Sequence, residues 1–134
     1  MLLWFGVELP GLVADLSPYR ALLVEACERD VFGLTVERLE SGLQSGKYLA
    51  IGTHRYVALL ERVPGRGGDL LSVAALAGEG LGDWLGDLDT ALMDLAKDQD
   101  CVAVLGWGRP GWAKVMAQRG WQQQAVVMTK AVQI

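Results

Sequence analysis

The sequence has few of the residues that build metal sites and disulfide frameworks. Its 134 residues include two cysteines and one histidine, and no CxxC pair is present. Cys27 and Cys101 lie far apart in the chain, which favours reduced thiols and a cytoplasmic setting. A lone histidine with two separated cysteines does not match a zinc-ligand pattern, so no metal site is predicted.

Long hydrophobic runs and an excess of basic charge are also missing. Although 51% of the residues are hydrophobic, glycine and charged residues interrupt every apolar run before it could span a bilayer. The apolar stretch 1–11 has no basic residue and contains Glu8, so no signal peptide is expected. The net charge of −4 disfavours nucleic acid as a partner. These absences predict a globular protein with neither a membrane nor a nucleic-acid partner.

What the sequence does contain is an alternation of strand and helix patterns, in a length that suits one domain, 1–134. Ser17 and Asp83 are the predicted N-caps of two helices, and a third helix is predicted to start at Thr35. Gly46 and Gly120 are predicted to end helices. The predicted strands are 2–8, 47–52, 56–63, 70–77, 101–106 and 124–132, and the predicted helices are 18–29, 35–45, 84–95 and 110–119.

The resulting order is β-α-α-β-β-β-α-β-α-β, an α/β (mixed α+β) fold with a mixed sheet. Residues 47–63 are predicted to form an antiparallel hairpin. Residues 70–105 are predicted to form a strand–helix–strand unit, whose connection joins parallel strands by a right-handed crossover. The run at 70–77 is apolar on both faces and is therefore the predicted central strand.

A repeated glycine–tryptophan pattern marks the C-terminal third of the chain. The stretch GWGRPGWAKVMAQRGW, 106–121, holds three of the five tryptophans, each preceded by glycine. Together with the predicted element order, this stretch resembles the C-terminal part of the GNAT acetyltransferase family. In that family a strand, a helix and a glycine–aromatic pair follow one another at the corresponding position. The resemblance covers nearly the whole chain and implies a GNAT-like fold. The pattern is also similar to small GNAT-like proteins of bacteriophages, which implies a place in the host cytoplasm or the virion.

The resemblance implies a loop before the third helix that holds the pyrophosphate of acetyl-CoA on backbone amides. In this chain the matching glycines are Gly78, Gly80 and Gly82, but Glu79 and Asp83 flank them. Residues 79–100 contain seven acidic residues and one basic residue. Negative charge there repels phosphate, so the sequence predicts weak or absent binding of acetyl-CoA and hence no cofactor.

The family's usual general acid is also missing. Anchoring the motif on Gly120-Trp121 puts Met116 where many family members have a tyrosine that protonates the leaving thiolate. Residues 110–119 contain no tyrosine, serine or cysteine. Candidates for a general base are Glu61, Asp69, Ser72 and His54, each of which also has an ordinary structural explanation. His54 is predicted to lie exposed in a hairpin turn.

Only thirteen residues follow Trp121, enough for one strand where the family usually has two. The sheet should therefore end in a shortened strand pair, with an open edge that could pair with a second copy or another protein. The candidate contact residues are Trp107, Arg109, Trp112 and Trp121, which are as consistent with core packing as with an interface.

These features favour a non-catalytic GNAT-fold protein that acts through protein contacts, for example as a phage virion or assembly component. The alternative is an acetyl-CoA-dependent N-acetyltransferase acting on a cationic amine, which an acidic surface would suit. A CoA- or nucleotide-binding sensor without turnover is a third hypothesis.

Overall fold

The computed structural model describes residues 2–4, 7–30, 32–107 and 110–132, in which strands and helices alternate. The strands are β1 (Leu2–Trp4), β2 (Val7–Leu9), β3 (Gly11–Leu12), β4 (Leu49–Gly52), β5 (Tyr56–Gly65), β6 (Gly68–Gly78) and β7 (Ala103–Gly106). The helices are a 3-10 turn (Ser17–Tyr19), α1 (Arg20–Glu28), α2 (Val36–Ser45), α3 (Leu81–Asp98) and α4 (Pro110–Ala117).

The main sheet has five strands in the order β3-β4-β5-β6-β7. Neighbours from β3 to β6 are antiparallel, whereas β6 and β7 are parallel and are joined through α3. The sheet is therefore mixed, and the predicted fold class is confirmed.

The two faces of the sheet carry separate hydrophobic cores. Because side chains alternate along a strand, Val57 and Leu59 of β5 belong to the core beneath α1 and α2. Ala58 and Leu60 belong to the core beneath α3. The middle strand is β5, whose residues Tyr56–Leu60 are buried on both sides. The predicted central strand, 70–77, lies in β6, the interior strand next to it, and is largely half-buried.

Helix α3 presents an apolar stripe to the second core. Trp84, Leu85, Leu88 and Leu92 are buried, as their three- and four-residue spacing predicts. Within the described residues, no helix is long and apolar enough to cross a membrane.

The predicted N-terminal strand 2–8 is wrong. The segment instead forms the antiparallel pair β1 and β2, in which Leu2 lies opposite Leu9. Only Gly11 and Leu12, beyond the end of the predicted strand, join the main sheet by pairing with β4. An apolar run of this length suits one strand or two short strands of a hairpin equally well, so periodicity could not distinguish them.

Of the five predicted helix ends, Thr35, Gly46 and Gly120 are correct, and Ser17 and Asp83 are wrong. Gly120 has φ of +86° and closes the turn after α4, where its amide donates to the Ala117 carbonyl at 3.2 Å. The Thr35 hydroxyl accepts a hydrogen bond from the Arg38 amide at 3.2 Å, and Gly46 ends α2 with φ of +82°. Ser17 is the first residue of the 3-10 turn, whose N-cap position is occupied by Leu16, and the Ser17 amide and hydroxyl donate to the Asp15 carboxylate at 3.0 and 2.7 Å. Asp83 lies inside the first turn of α3, whose N-cap position is occupied by Gly80.

The predicted strand 124–132 is also wrong. Residues 121–132 have no regular secondary structure, and every residue from 122 to 132 is exposed. The alternation of apolar residues gives this segment strand propensity, but a strand exists only when it pairs with a neighbour. The apolar side chains Val126, Met128 and Val132 are 70%, 87% and 88% exposed as a result.

Candidate functional site

Strands β6 and β7 separate partway along the sheet. They pair only from Leu70 opposite Ala103 to Val73 opposite Gly106, whereas β5 pairs with β6 as far as Gly78. From Ala74 to Ala77, therefore, no strand of the described residues covers the outer edge of β6. Uncovered backbone N–H and C=O groups are available to an extended ligand that carries amide groups.

A β-bulge lies at the point where the two strands separate. Leu59 is opposite Ala75 and Leu60 is opposite Val73, so Ala74 is an extra residue in β6. Ala74 and Ala75 consequently both pack toward the α1 and α2 core. Bulges bend and twist the strand that contains them, and here the bend falls at the opening between β6 and β7.

The loop between β6 and α3 requires two of its glycines. A Cβ on Gly78 would lie 2.5 Å from the Tyr56 Cβ and 2.9 Å from the Trp84 ring. Gly80 has φ of +70°, and a Cβ there would lie 2.7 Å from the Arg55 guanidinium. Gly82 has no such neighbour within 4 Å. The indole N–H of Trp84, on α3, donates to the Glu79 carbonyl at 2.6 Å and ties the loop to the helix.

A cationic residue beside this loop was missed by sequence reasoning. The Arg55 Nη2 donates to Asp83 Oδ2 at 2.9 Å, and the Arg55 carbonyl accepts from the Glu79 amide at 3.2 Å. Arg55 therefore compensates one of the two carboxylates that made the loop acidic. The only available signal was its place in the β4–β5 turn, 28 residues from Asp83.

The same turn helps to form an open cleft of about 440 Å³ at this end of the sheet. Its lining residues are Leu22, His54, Arg55, Glu79 and Gly80. His54 is exposed, as predicted, but it faces this cleft beside Arg55.

The three base candidates that lie on β5 and β6 have different surroundings. Glu61 of β5 lies opposite Ser72 of β6. Ser72 in turn lies opposite Leu105 of β7, one pair before the last pair that joins β6 and β7. Strand alternation puts both residues on the face of α1 and α2, with Ser72 buried and Glu61 half-buried. Asp69 lies near the opposite end of β6, where its carboxylate accepts from Arg62 Nε at 2.7 Å. Ser72 therefore lies two residues before the uncovered part of β6, with Glu61 opposite it on β5, whereas Asp69 lies farther from the opening.

The tryptophans of the glycine–tryptophan stretch do not form one patch. Trp107 contacts Phe32, in the α1–α2 connection, at 5.5 Å between ring centroids. The Trp121 indole donates to Asp89 of α3 at 2.7 Å, so Trp121 lies toward the α3 face of the sheet. Trp112 is half-buried on α4. The fourth predicted contact residue, Arg109, lies outside the described residues.

Helix α4 contains no tyrosine, serine or cysteine, and Met116 is half-buried there. Of the two thiols, Cys27 is a poor nucleophile. Burial raises the pKa of Cys27, and the negative charges of Asp30 and Glu37 raise it further, so the thiol stays protonated near neutral pH.

A mixed sheet whose parallel strands separate beside a bulge, with α3 between them, defines the GNAT acetyltransferase fold. Solved structures share it over almost their whole length. An acetyltransferase from Trypanosoma brucei has a TM-score of 0.66 at 16% identity, covering 92% of this chain and 98% of that one. A ribosomal-protein-alanine N-acetyltransferase from Brucella melitensis has a TM-score of 0.65 at 16% identity, covering 96% and 100%.

A third structure, of a predicted acetyltransferase with acetyl-CoA from Clostridium acetobutylicum, has a TM-score of 0.60 at 14% identity, covering 92% and 96%. No protein-family model matches the sequence, and no curated protein matches it. The chain therefore has the GNAT fold, while the resemblance to phage proteins stays a prediction.

Proposed function

We propose that this protein binds acetyl-CoA and transfers the acetyl group to an amine. The observation that carries the proposal is the opening between β6 and β7, with Glu61 one strand away, opposite Ser72 on the α1 and α2 face. This reverses the preference drawn from the sequence, where the acidic loop argued against a phosphate-bearing ligand.

The residues around the opening suit acetyl-CoA in two respects. The uncovered edge of β6 from Ala74 to Ala77 offers backbone hydrogen bonds to its amide-bearing arm. Arg55 and the amides at the start of α3 would face its phosphates, with Gly78 and Gly80 permitting close approach. When bound, acetyl-CoA supplies the acetyl group as a thioester, and the products are an N-acetylated amine and the free thiol.

Glu61 is the general base of the proposal. Its carboxylate would accept the proton that the amine nitrogen releases as the amide bond forms. Ser72, buried beside it, would orient the carboxylate or the amine. Residues 110–119 carry no tyrosine, serine or cysteine to protonate the leaving thiolate, so we expect slow turnover.

Substitutions of Arg55 and Asp83 test the proposed binding of acetyl-CoA, because one should weaken the affinity and the other should strengthen it. Isothermal titration with acetyl-CoA should give a micromolar Kd for the wild type. Arg55→Ala should weaken binding about tenfold or more, because a charge-assisted hydrogen bond is lost. Asp83→Asn should tighten binding, because it releases Arg55 and removes a negative charge from the phosphate position.

Arg38→Ala is the matched control, since Arg38 is exposed on α2, away from the loop. The absence of heat for both acetyl-CoA and CoA, at millimolar ligand, would refute the proposed function. Equal weakening in Arg55→Ala and Arg38→Ala would refute the assignment of Arg55.

A second candidate function, protein–protein association, is favoured by the exposed segment 124–132. The outer edge of β7 is uncovered in the described residues, and this apolar segment has no pairing partner there. Only Lys130 interrupts it with charge, and such segments pair readily with exposed strand edges. One copy could therefore supply a strand to the β7 edge of another copy or of a different protein.

Light scattering across protein concentration tests this association. The wild type should form dimers or larger species, and Val127→Pro should shift the population toward monomer because it removes a backbone donor. Gln122→Pro, outside the predicted strand, should leave the association unchanged. A wild type that stays monomeric at every concentration and captures no partner would remove the main support for this candidate.

A further inference from the structure

Two large aromatic side chains on one face of the protein remain exposed. Phe32 and Trp107 are 58% and 53% exposed, and their rings meet edge to face with 67° between the planes. Neither belongs to the hydrophobic core on either side of the sheet. In an edge-to-face pair one ring covers only one face of the other, so the remaining ring faces are open to a ligand.

The pair is held in place by the elements that carry it. Asp30 accepts a hydrogen bond from the Leu34 amide at 2.8 Å and closes the α1–α2 connection around Phe32. Gly33, with φ of +72°, allows the turn that follows. Trp107 comes directly after Gly106, the last residue of β7 that pairs with β6. Both rings are thus anchored beside the opening between the two strands.

Strand register relates this pair to the proposed base. Leu105 lies opposite Ser72, and Ser72 lies opposite Glu61. Side chains two residues apart along a strand lie on the same face, so Trp107 lies on the same face as Leu105, which is the face of α1 and α2. Its contact with Phe32, in the α1–α2 connection, agrees with this. Extending the ladder by one residue, with a strand spacing of about 4.8 Å and a rise of about 3.3 Å per residue, gives roughly 12 Å between the Cα atoms of Glu61 and Trp107, and the separation of β6 and β7 increases this distance.

We propose that Phe32 and Trp107 bind a second cationic group of the amine substrate while Glu61 receives the reacting amine. Aromatic ring faces attract ammonium groups through their quadrupole, and Trp is the strongest of these rings. The net charge of −4 favours a cationic ligand over an anionic or a neutral one. The substrate class is therefore a diamine, or a chain with an amino group at each end of an apolar spacer. This inference rests on the proposed function, because it assigns the substrate of the same site.

Two probes of equal length separate charge from apolar contact. Binding of 1,6-diaminohexane and of hexylamine is measured by calorimetry and by the shift of the Trp107 indole N–H signal in NMR spectra, without acetyl-CoA. The diamine should bind about fivefold more tightly than the monoamine, the size expected for exposed cation–aromatic contacts. Trp107→Leu and Phe32→Leu should each reduce this ratio toward one, whereas Trp107→Phe should retain most of it.

Trp112→Leu, on α4, is the control and should keep the full ratio. Equal binding of both probes to the wild type, or a ratio that survives Trp107→Leu, would overturn the inference. These binding measurements need no turnover, so they can succeed even if acetyl-CoA fails to bind. If acetyl transfer occurs with equal kcat/KM for both amines, the proposed function stands and this substrate assignment fails.

Discussion

Leu88→Ala is expected to lower the free energy of unfolding by about 2–5 kcal/mol. Leu88 is 2% exposed and lies in the core between α3 and the sheet, beside Trp84 and Leu92. Removing three carbons there loses transfer free energy and leaves a cavity that the rigid central strands cannot close. The measurement is denaturant unfolding followed by circular dichroism.

Met93→Ala is the matched control because Met93 lies on the same helix and is 45% exposed. Its effect should stay below about 1 kcal/mol, in the range of surface substitutions. Similar losses from both variants would mean that helix propensity, and not core packing, sets the stability of α3.

Glu61→Gln should lower kcat for acetyl transfer by about 100-fold or more, because a positioned general base contributes about that much. The amide keeps the size of the side chain but cannot accept the proton from the amine. The Kd for acetyl-CoA should stay within about twofold, since Glu61 lies on the opposite side of β6 from the uncovered edge. Steady-state kinetics and calorimetry on the same preparation separate the two effects.

Asp69→Asn provides the comparison for this variant. Asp69 is paired with Arg62 near the other end of the hairpin, so its replacement should change stability slightly and leave kcat unaltered. Loss of activity in Asp69→Asn with normal activity in Glu61→Gln would show that the base has been assigned to the wrong carboxylate.

The parts of the fold that depend on local patterning were predictable. The stripe Trp84, Leu88 and Leu92 identified the buried side of α3, and Thr35 and Gly46 marked the ends of α2. These signals act within a few residues of one another, where helix geometry fixes which side chains share a face.

The features that depend on distant pairing were not predictable. Arg55 meets Asp83 only because the β4–β5 turn and the start of α3 lie at the same end of the sheet. Trp107 and Trp121 look alike in the sequence, yet the strand end and the helix between them direct one to Phe32 and the other to Asp89. The apolar segment 124–132 shows the reverse case, since strand propensity is present while its pairing partner is not.

The extra residue Ala74 has a consequence for how this protein can change over evolutionary time. If Ala74 were deleted, Val73 and Ala75 would become consecutive opposite Leu60 and Leu59, giving an uninterrupted antiparallel ladder. Val73 packs toward α3 and Ala75 toward α1 and α2, so their alternation would already be correct. A one-codon deletion could therefore straighten β6 without moving a core side chain to the wrong face. The bulge is therefore not needed to keep the core side chains of β6 on their correct faces, and its structural effect is the bend beside the opening between β6 and β7.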